Sequence, residues 1–354
     1  MNTPDAQRLW ARLREAGVVD GEAPALDHEA TTPWPVRWLN GAGAWVSVPL
    51  LVVFVMSLID WQRGSAATPM LVGAVFIVAS LPWLRSGGSE YQRQAGSVGN
   101  LAGILLVALG VALASEGSAN AVAMTLLLLA AAMFALSTQW LHRFLCAGTM
   151  VGAVFWLLLG ERFAVERLAM AQMLVVWAAM ALWLLRLYAD PAQWPRRVLD
   201  PLAWALTLAA LLLAWAAPWL AGLLDEGHFL RVPSLRLAAA AALPLVAMTL
   251  VYPRRQALGP AMSVGLVAAT VLLAWLWRWA PGVPVSISLL LLAVPLGASL
   301  LMLLSTASLA LSLLLYYYHL GDTLLAKSLA LLIAGVVVLA LYLILRARSR
   351  RVAS

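Results

Sequence analysis

Long apolar runs separated by short polar or charged breaks dominate the chain. Met124–Ala135 and Leu206–Ala217 are typical, and neither alternates between apolar and polar positions as a barrel strand would. In a bilayer such runs satisfy their own backbone only as helices. The pattern therefore predicts an all-α, polytopic transmembrane helix bundle and excludes a strand barrel. It places about twelve spans, at 42–59, 69–84, 98–115, 119–141, 144–160, 168–188, 202–222, 235–252, 258–279, 285–298, 300–318 and 325–345. The links average about six residues, too few for a folded domain outside the bundle. The chain then divides into a polar tail over 1–40, the bundle over 41–346 and a basic tail over 347–354.

Several boundaries carry their own chemistry. Asp200 followed by Pro201 fits an N-cap and first helical residue. Pro191 ends the helix before it, because the preceding Asp190 resists the helical region. As one helix, Val285–Tyr318 would be ~51 Å long, longer than a whole bilayer is thick. Pro295, Gly297 and Ser299 mark the expected break into two short helices. In the tail, Thr3, Pro4 and Gly17 frame one short helix, and Leu9, Trp10 and Leu13 give it an apolar stripe. No cleavable signal peptide is expected, since the first apolar run starts only near Ala42.

Composition agrees with this picture and narrows it. Hydrophobic residues make up 63% of the 354 positions and charged residues 11%, against roughly 25% charged in a soluble domain. A single cysteine, Cys146, rules out a disulfide scaffold. Cytoplasmic loops carry the excess of Lys and Arg. With an inside N-terminus and twelve spans, 16 of the 23 basic residues fall inside, among them Arg85, Arg93, Arg143, Arg186, Arg196, Arg197 and the Arg346–Arg351 cluster. Both termini are then cytoplasmic. The net charge of +7 is spread over several loops rather than one face, which argues against nucleic acid as a partner. Trp83, Trp140, Trp183 and Trp277 are among many tryptophans near predicted helix ends, where indole rings favour the interface.

Candidate chemistry is sparse. The acidic residues fall in tails, loops or helix ends, which argues against a pump built on a midplane carboxylate. His28, His142, His228 and His319 form no metal-ligand spacing with one another, and Cys146 has no thiol partner. No phosphate-binding loop or nucleophile elbow occurs, so no cofactor, metal or catalytic residue is assigned. Gly96, Gly99, Gly103 and Gly110 share a face, and Gly148 and Gly152 form a second small pair; both suit close helix packing.

The C-terminal segment is more specific. Ser305, Ser308, Ser312, Tyr316 and His319 recur at helical spacing, a polar stripe that must pack on another helix or line water. Asp322 fits an N-cap for the last span after Gly321. Lys327 lies just inside that span. Either it snorkels to the surface, or it pairs with Asp322 or the tyrosine faces at the mouth of a cavity.

This segment resembles the C-terminal signature of a bacterial integral-membrane family, the domain of unknown function DUF4401. The matching residues are Tyr316-Tyr317-Tyr318, Thr323-Leu324-Leu325, Lys327-Ser328 and Gly335. Near the other end, Pro33-Trp34-Pro35-Val36-Arg37 leads into Gly41-Ala42-Gly43-Ala44-Trp45 in a similar way. The turn at Pro295–Ser299 departs from the family's pattern, which has a more polar, basic loop there. The resemblance implies a multi-pass protein of the bacterial inner membrane, acting in a complex with other membrane proteins. It carries over no activity and no ligand. It marks Tyr316, Tyr317, Tyr318, His319, Asp322, Thr323, Lys327 and Ser328 as the candidate motif. Three functions stay open: a component of a membrane assembly, a transporter of a lipid-like or weakly polar solute along the serine stripe, and an enzyme on a lipid-linked substrate using Asp322 or His319.

Overall fold

The structure is a computed structural model that describes residues 34–57, 65–85, 89–160, 165–189, 195–224, 240–254, 259–277 and 280–319, with scattered positions at 10–17, 256 and 325–343. Eleven helices follow one another among the described residues, and no strand is present there. They are α1 (Trp34–Ser57), α2 (Ala67–Arg85), α3 (Glu90–Ala114), α4 (Ala119–Leu136), α5 (Trp140–Leu159), α6 (Val165–Tyr188), α7 (Arg196–Leu224), α8 (Ala242–Val251), α9 (Pro260–Leu276), α10 (Gly282–Leu296) and α11 (Ser299–His319). Each of the first eleven predicted spans overlaps one of them. Residues 331–337 of the last predicted span are helical as well. Seven of the described helices are long and apolar enough to cross a membrane, and α1, α8, α9 and α10 carry shorter apolar stretches.

Local sequence explains most helix ends. Ser89 caps α3 in a reciprocal box with Gln92: its Oγ accepts from the Gln92 N–H at 3.3 Å, and Gln92 Oε1 accepts from the Ser89 N–H at 2.9 Å. Gly297 ends α10 at φ 61, a left-handed conformation that suits glycine, and the Ala298 N–H then donates to the Ala293 carbonyl at 3.1 Å. The expected break between α10 and α11 is therefore a tight Schellman turn. In the tail, residues 12–15 are helical and Gly17, at φ 65, follows them; Thr3, Pro4 and Leu9 lie outside the described residues.

Two boundaries depart from expectation. α1 starts at Trp34, ahead of the predicted 42, because Pro35 at the helix start lacks only an N–H that would be unpaired anyway. α7 starts at Arg196, after Pro195, whose carbonyl accepts from Val198 at 2.9 Å and Leu199 at 3.0 Å. Asp200 is thus not an N-cap; it sits in the second turn and receives Arg186 Nη1 at 3.2 Å.

The bundle is apolar on its outer face as well as in its cores, and the polar side chains it buries are neutral. Val46, Leu50 and Phe54 of α1 are exposed, as are Leu71, Val75 and Val78 of α2. Asn100, His142, Thr207, Ser286 and Ser308 are buried, whereas among the described residues no Asp, Glu, Lys or Arg is. Two of the hydrophobic clusters among the described residues hold most of the helices. Ile77, Ile104, Ala130, Met133 and Cys146 join α2 to α5. Val176, Trp183, Leu211, Val246, Leu289 and Leu301 are among those that join α6, α7, α8, α10 and α11. α2 and α3 nearly touch: a Cβ on Gly73 would lie 2.6 Å from the Gly103 carbonyl oxygen, and one on Gly103 would lie 2.7 Å from that of Gly73. Gly96 and Gly110 share this seam, as their spacing predicts. Among the described residues nothing packs on Gly148 or Gly152, and a Cβ on either meets open space.

Candidate functional site

The serine stripe of α11 packs on α10. Ser305 and Ser308 are fully buried, and Ser312 and Tyr316 almost so. Ser286 and Ser308 join hydroxyl to hydroxyl at 2.7 Å. Ser286 donates to the Gly282 carbonyl and Ser305 to the Leu301 carbonyl, both at 2.6 Å. Gly282 brings the α10 backbone against Ser312, leaving no space for a side chain there. Tyr316 meets Trp277 edge to face, with ring centroids 4.9 Å apart. The Ser286–Ser308 bond crosses the seam and the bonds to Gly282 and Leu301 stay within their own helices, each offsetting the cost of burying a hydroxyl, while Ser312 Oγ is buried without a hydrogen-bond partner.

The rest of the candidate motif is only partly in view. Tyr317 is exposed, one residue on from buried Tyr316. The backbones of Tyr318 and His319 belong to α11, but their side chains lie outside the described residues. Asp322, Thr323 and Lys327 also lie outside them, so the choice between snorkelling and pairing for Lys327 falls there too. Ser328 is helical and donates to the Leu325 carbonyl at 3.0 Å.

A second polar network, which the sequence reading missed, joins α5, α6 and α7. Trp183 is fully buried rather than at the lipid interface; its indole N–H donates to Thr207 Oγ1 at 2.7 Å. Trp204 meets it edge to face at 5.4 Å. The Arg186 guanidinium lies 5.1 Å over the Trp183 ring while paired with Asp200. Pro201 has no N–H, so the Arg197 carbonyl one turn back has no helical donor. Arg143 of α5 supplies one, with Nη1 at 2.7 Å. Arg143 also donates from Nε to the Phe134 carbonyl near the end of α4, at 3.2 Å. These arginines satisfy helix ends at one rim of the bundle.

A third network, also missed, lies inside the first five helices. Asn100 Nδ2 donates to Ser80 Oγ at 2.9 Å and approaches Met133 Sδ at 3.4 Å. Ser97 donates to Gln139 Oε1 at 3.1 Å, and Gln139 Nε2 donates to the Trp83 carbonyl at 2.9 Å. His142 Nε2 lies 3.3 Å from Cys146 Sγ, one turn apart on α5. The i, i+4 spacing of this pair is its signal in the sequence. Among the described residues, no group of three or more His, Cys, Asp or Glu side chains is arranged to hold a metal ion.

An apolar exterior, buried hydroxyl and amide seams and seven helices fit to span a bilayer define an all-helical protein of the membrane class. The family model of the domain of unknown function DUF4401 matches residues 33–348, nearly the whole chain. The protein belongs to that family. Searches of curated proteins and of solved structures gave no match.

Proposed function

We propose that this protein is a structural component of a bacterial inner-membrane assembly, with about twelve spans and both termini in the cytoplasm. The observation that carries this reading is the use made of its polar groups. The Ser286–Ser308 pair, the Trp183–Thr207 bond and the Asn100–Ser80 bond each join one helix to another rather than facing an open path. A scaffold needs such seams, whereas a solute path along the serine stripe would require α10 and α11 to part. The tail over 1–40 and the basic tail over 347–354 flank the bundle on the cytoplasmic side, where the arginine excess favours them. In the candidate motif, Tyr317 is exposed.

Purification of the full chain from native membranes in mild detergent, with identification of the proteins that accompany it, tests the proposal. A stable membrane partner that Tyr317→Ala releases is expected. Repeated isolation of the chain alone would overturn the assembly role and favour a transporter working by itself.

A further inference from the structure

We propose that His142, Cys146, Met133 and Met150 form a binding site for a soft monovalent cation of the Cu(I) or Ag(I) type. This goes beyond the assembly role and does not depend on it.

His142, Cys146 and Met150 follow one another at four-residue steps along one face of α5. Cys146 is fully buried, and Met133 of α4 shares its core cluster, with Met150 packed against that cluster. The α5 face thus carries one imidazole, one thiol and one thioether, and α4 adds a second thioether to the same core cluster; these are the donors that soft cations select. The distance also fits. Two ligands on one tetrahedral metal, at the usual metal–sulfur and metal–nitrogen lengths, stand ~3.5 Å apart; His142 Nε2 and Cys146 Sγ are 3.3 Å apart.

Charge selects the valence. The polar side chains of the neighbouring network, Asn100, Ser80, Ser97 and Gln139, are all neutral, and the adjacent Arg143 is turned to the Phe134 and Arg197 carbonyls. On binding, the Cys146 S–H bond breaks, a sulfur–metal bond forms and the proton leaves to solvent. Thiolate and monovalent cation are then neutral together. A divalent ion would leave a net charge in a medium that penalises it heavily.

An independent observation points to the same place. His142 Nδ1 and Asn100 Oδ1 are both buried without a hydrogen-bond partner. The Ser97–Gln139 bond sets the register of α3 against α5. The links at 115–118 and 137–139 are short, so successive helices reverse and α3 and α5 run the same way. Asn100 and His142 each lie three residues beyond that bond, and so sit at one level of the bundle. A metal on Nε2 fixes the proton of His142 on Nδ1, and such a proton takes a carbonyl acceptor. Asn100 Oδ1 is a buried acceptor at that level, not bonded to Nδ1 in this structure.

The test is anaerobic titration of the reduced full-length protein, in detergent micelles, with Cu(I) held by a chromophoric chelator. One Cu(I) per chain should leave the chelator, with release of one proton, and X-ray absorption should show sulfur neighbours around the copper. Cys146→Ser should abolish uptake, and Asn100→Ala should weaken it by about ten- to a hundredfold. Met124→Leu, at an exposed position on α4, should leave uptake unchanged. Failure of the wild-type chain to withdraw Cu(I), full uptake by Cys146→Ser, or only nitrogen and oxygen neighbours would each overturn the proposal. The wild-type spectrum decides the matter even if a variant does not fold.

Discussion

Arg143 and Pro201 form a pair that neither residue type announces. The proline leaves the Arg197 carbonyl without a helical donor, and the arginine of another helix fills the gap. Arg143→Met should therefore lower stability by about 1 kcal/mol, since the bond is part-exposed and only partly desolvated. In a Pro201→Ala background the loss should be smaller, because alanine restores the missing N–H. Thermal unfolding of the four proteins of this cycle in detergent measures the difference, and equal losses in both backgrounds would contradict the pairing. The same pair explains what the sequence concealed. Asp200 before Pro201 looks like a helix start, but α7 begins at Arg196, after Pro195, and absorbs Pro201. Which proline the helix absorbs depends on the donor from α5, a contact with no local trace. Trp183 was misplaced for a related reason. Its position near a helix end suits the interface, but Thr207 one helix away takes its N–H into the core.

Between helices, the contacts fall into two kinds with different tolerances. The α2–α3 seam leaves no space for a side chain at Gly73 or Gly103, where the atoms in the way are backbone. Gly103→Leu should push the helices apart and lower stability by roughly 1–3 kcal/mol or more, read as a lower yield of folded protein in detergent. Gly148→Ala and Gly152→Ala should leave that yield unchanged, since each new methyl meets open space. Reduced yield in the second pair, or none in the first, would show that the seams are misassigned. The sequence was most informative at this scale. Unbroken apolar runs leave a chain in lipid little choice but helix, and Pro295 and Gly297 marked the α10–α11 turn. Spacing alone did not separate the two glycine pairs, because whether a small face meets a neighbour is decided by the helices around it. Gly73, whose partner comes from another helix, had no spacing signal at all.

For the whole molecule, the rim at which Arg143 donates to the Arg197 carbonyl and Arg186 pairs with Asp200 should be cytoplasmic, together with both termini. Reporter fusions after Ser354 and ahead of Met1 should both read as cytoplasmic; a periplasmic reading at either end would break the twelve-span count. The Schellman turn at Gly297 has a further consequence at this scale. It limits α10 to 15 residues, or ~22 Å, well short of a ~30 Å hydrocarbon layer. A span that short would leave bare ends if lipid surrounded it, yet Val283, Val285, Leu289 and Leu292 are all buried by neighbouring helices. Protein, not lipid, is its solvent. Substitutions in α10 should therefore be sorted by volume, with Ser286 and Leu289 intolerant of larger side chains. Those on the exposed face of α1, at Val46, Leu50 and Phe54, should be sorted by polarity instead. A saturation scan read by membrane abundance would separate the two patterns, and one common pattern would mean that lipid reaches α10 after all.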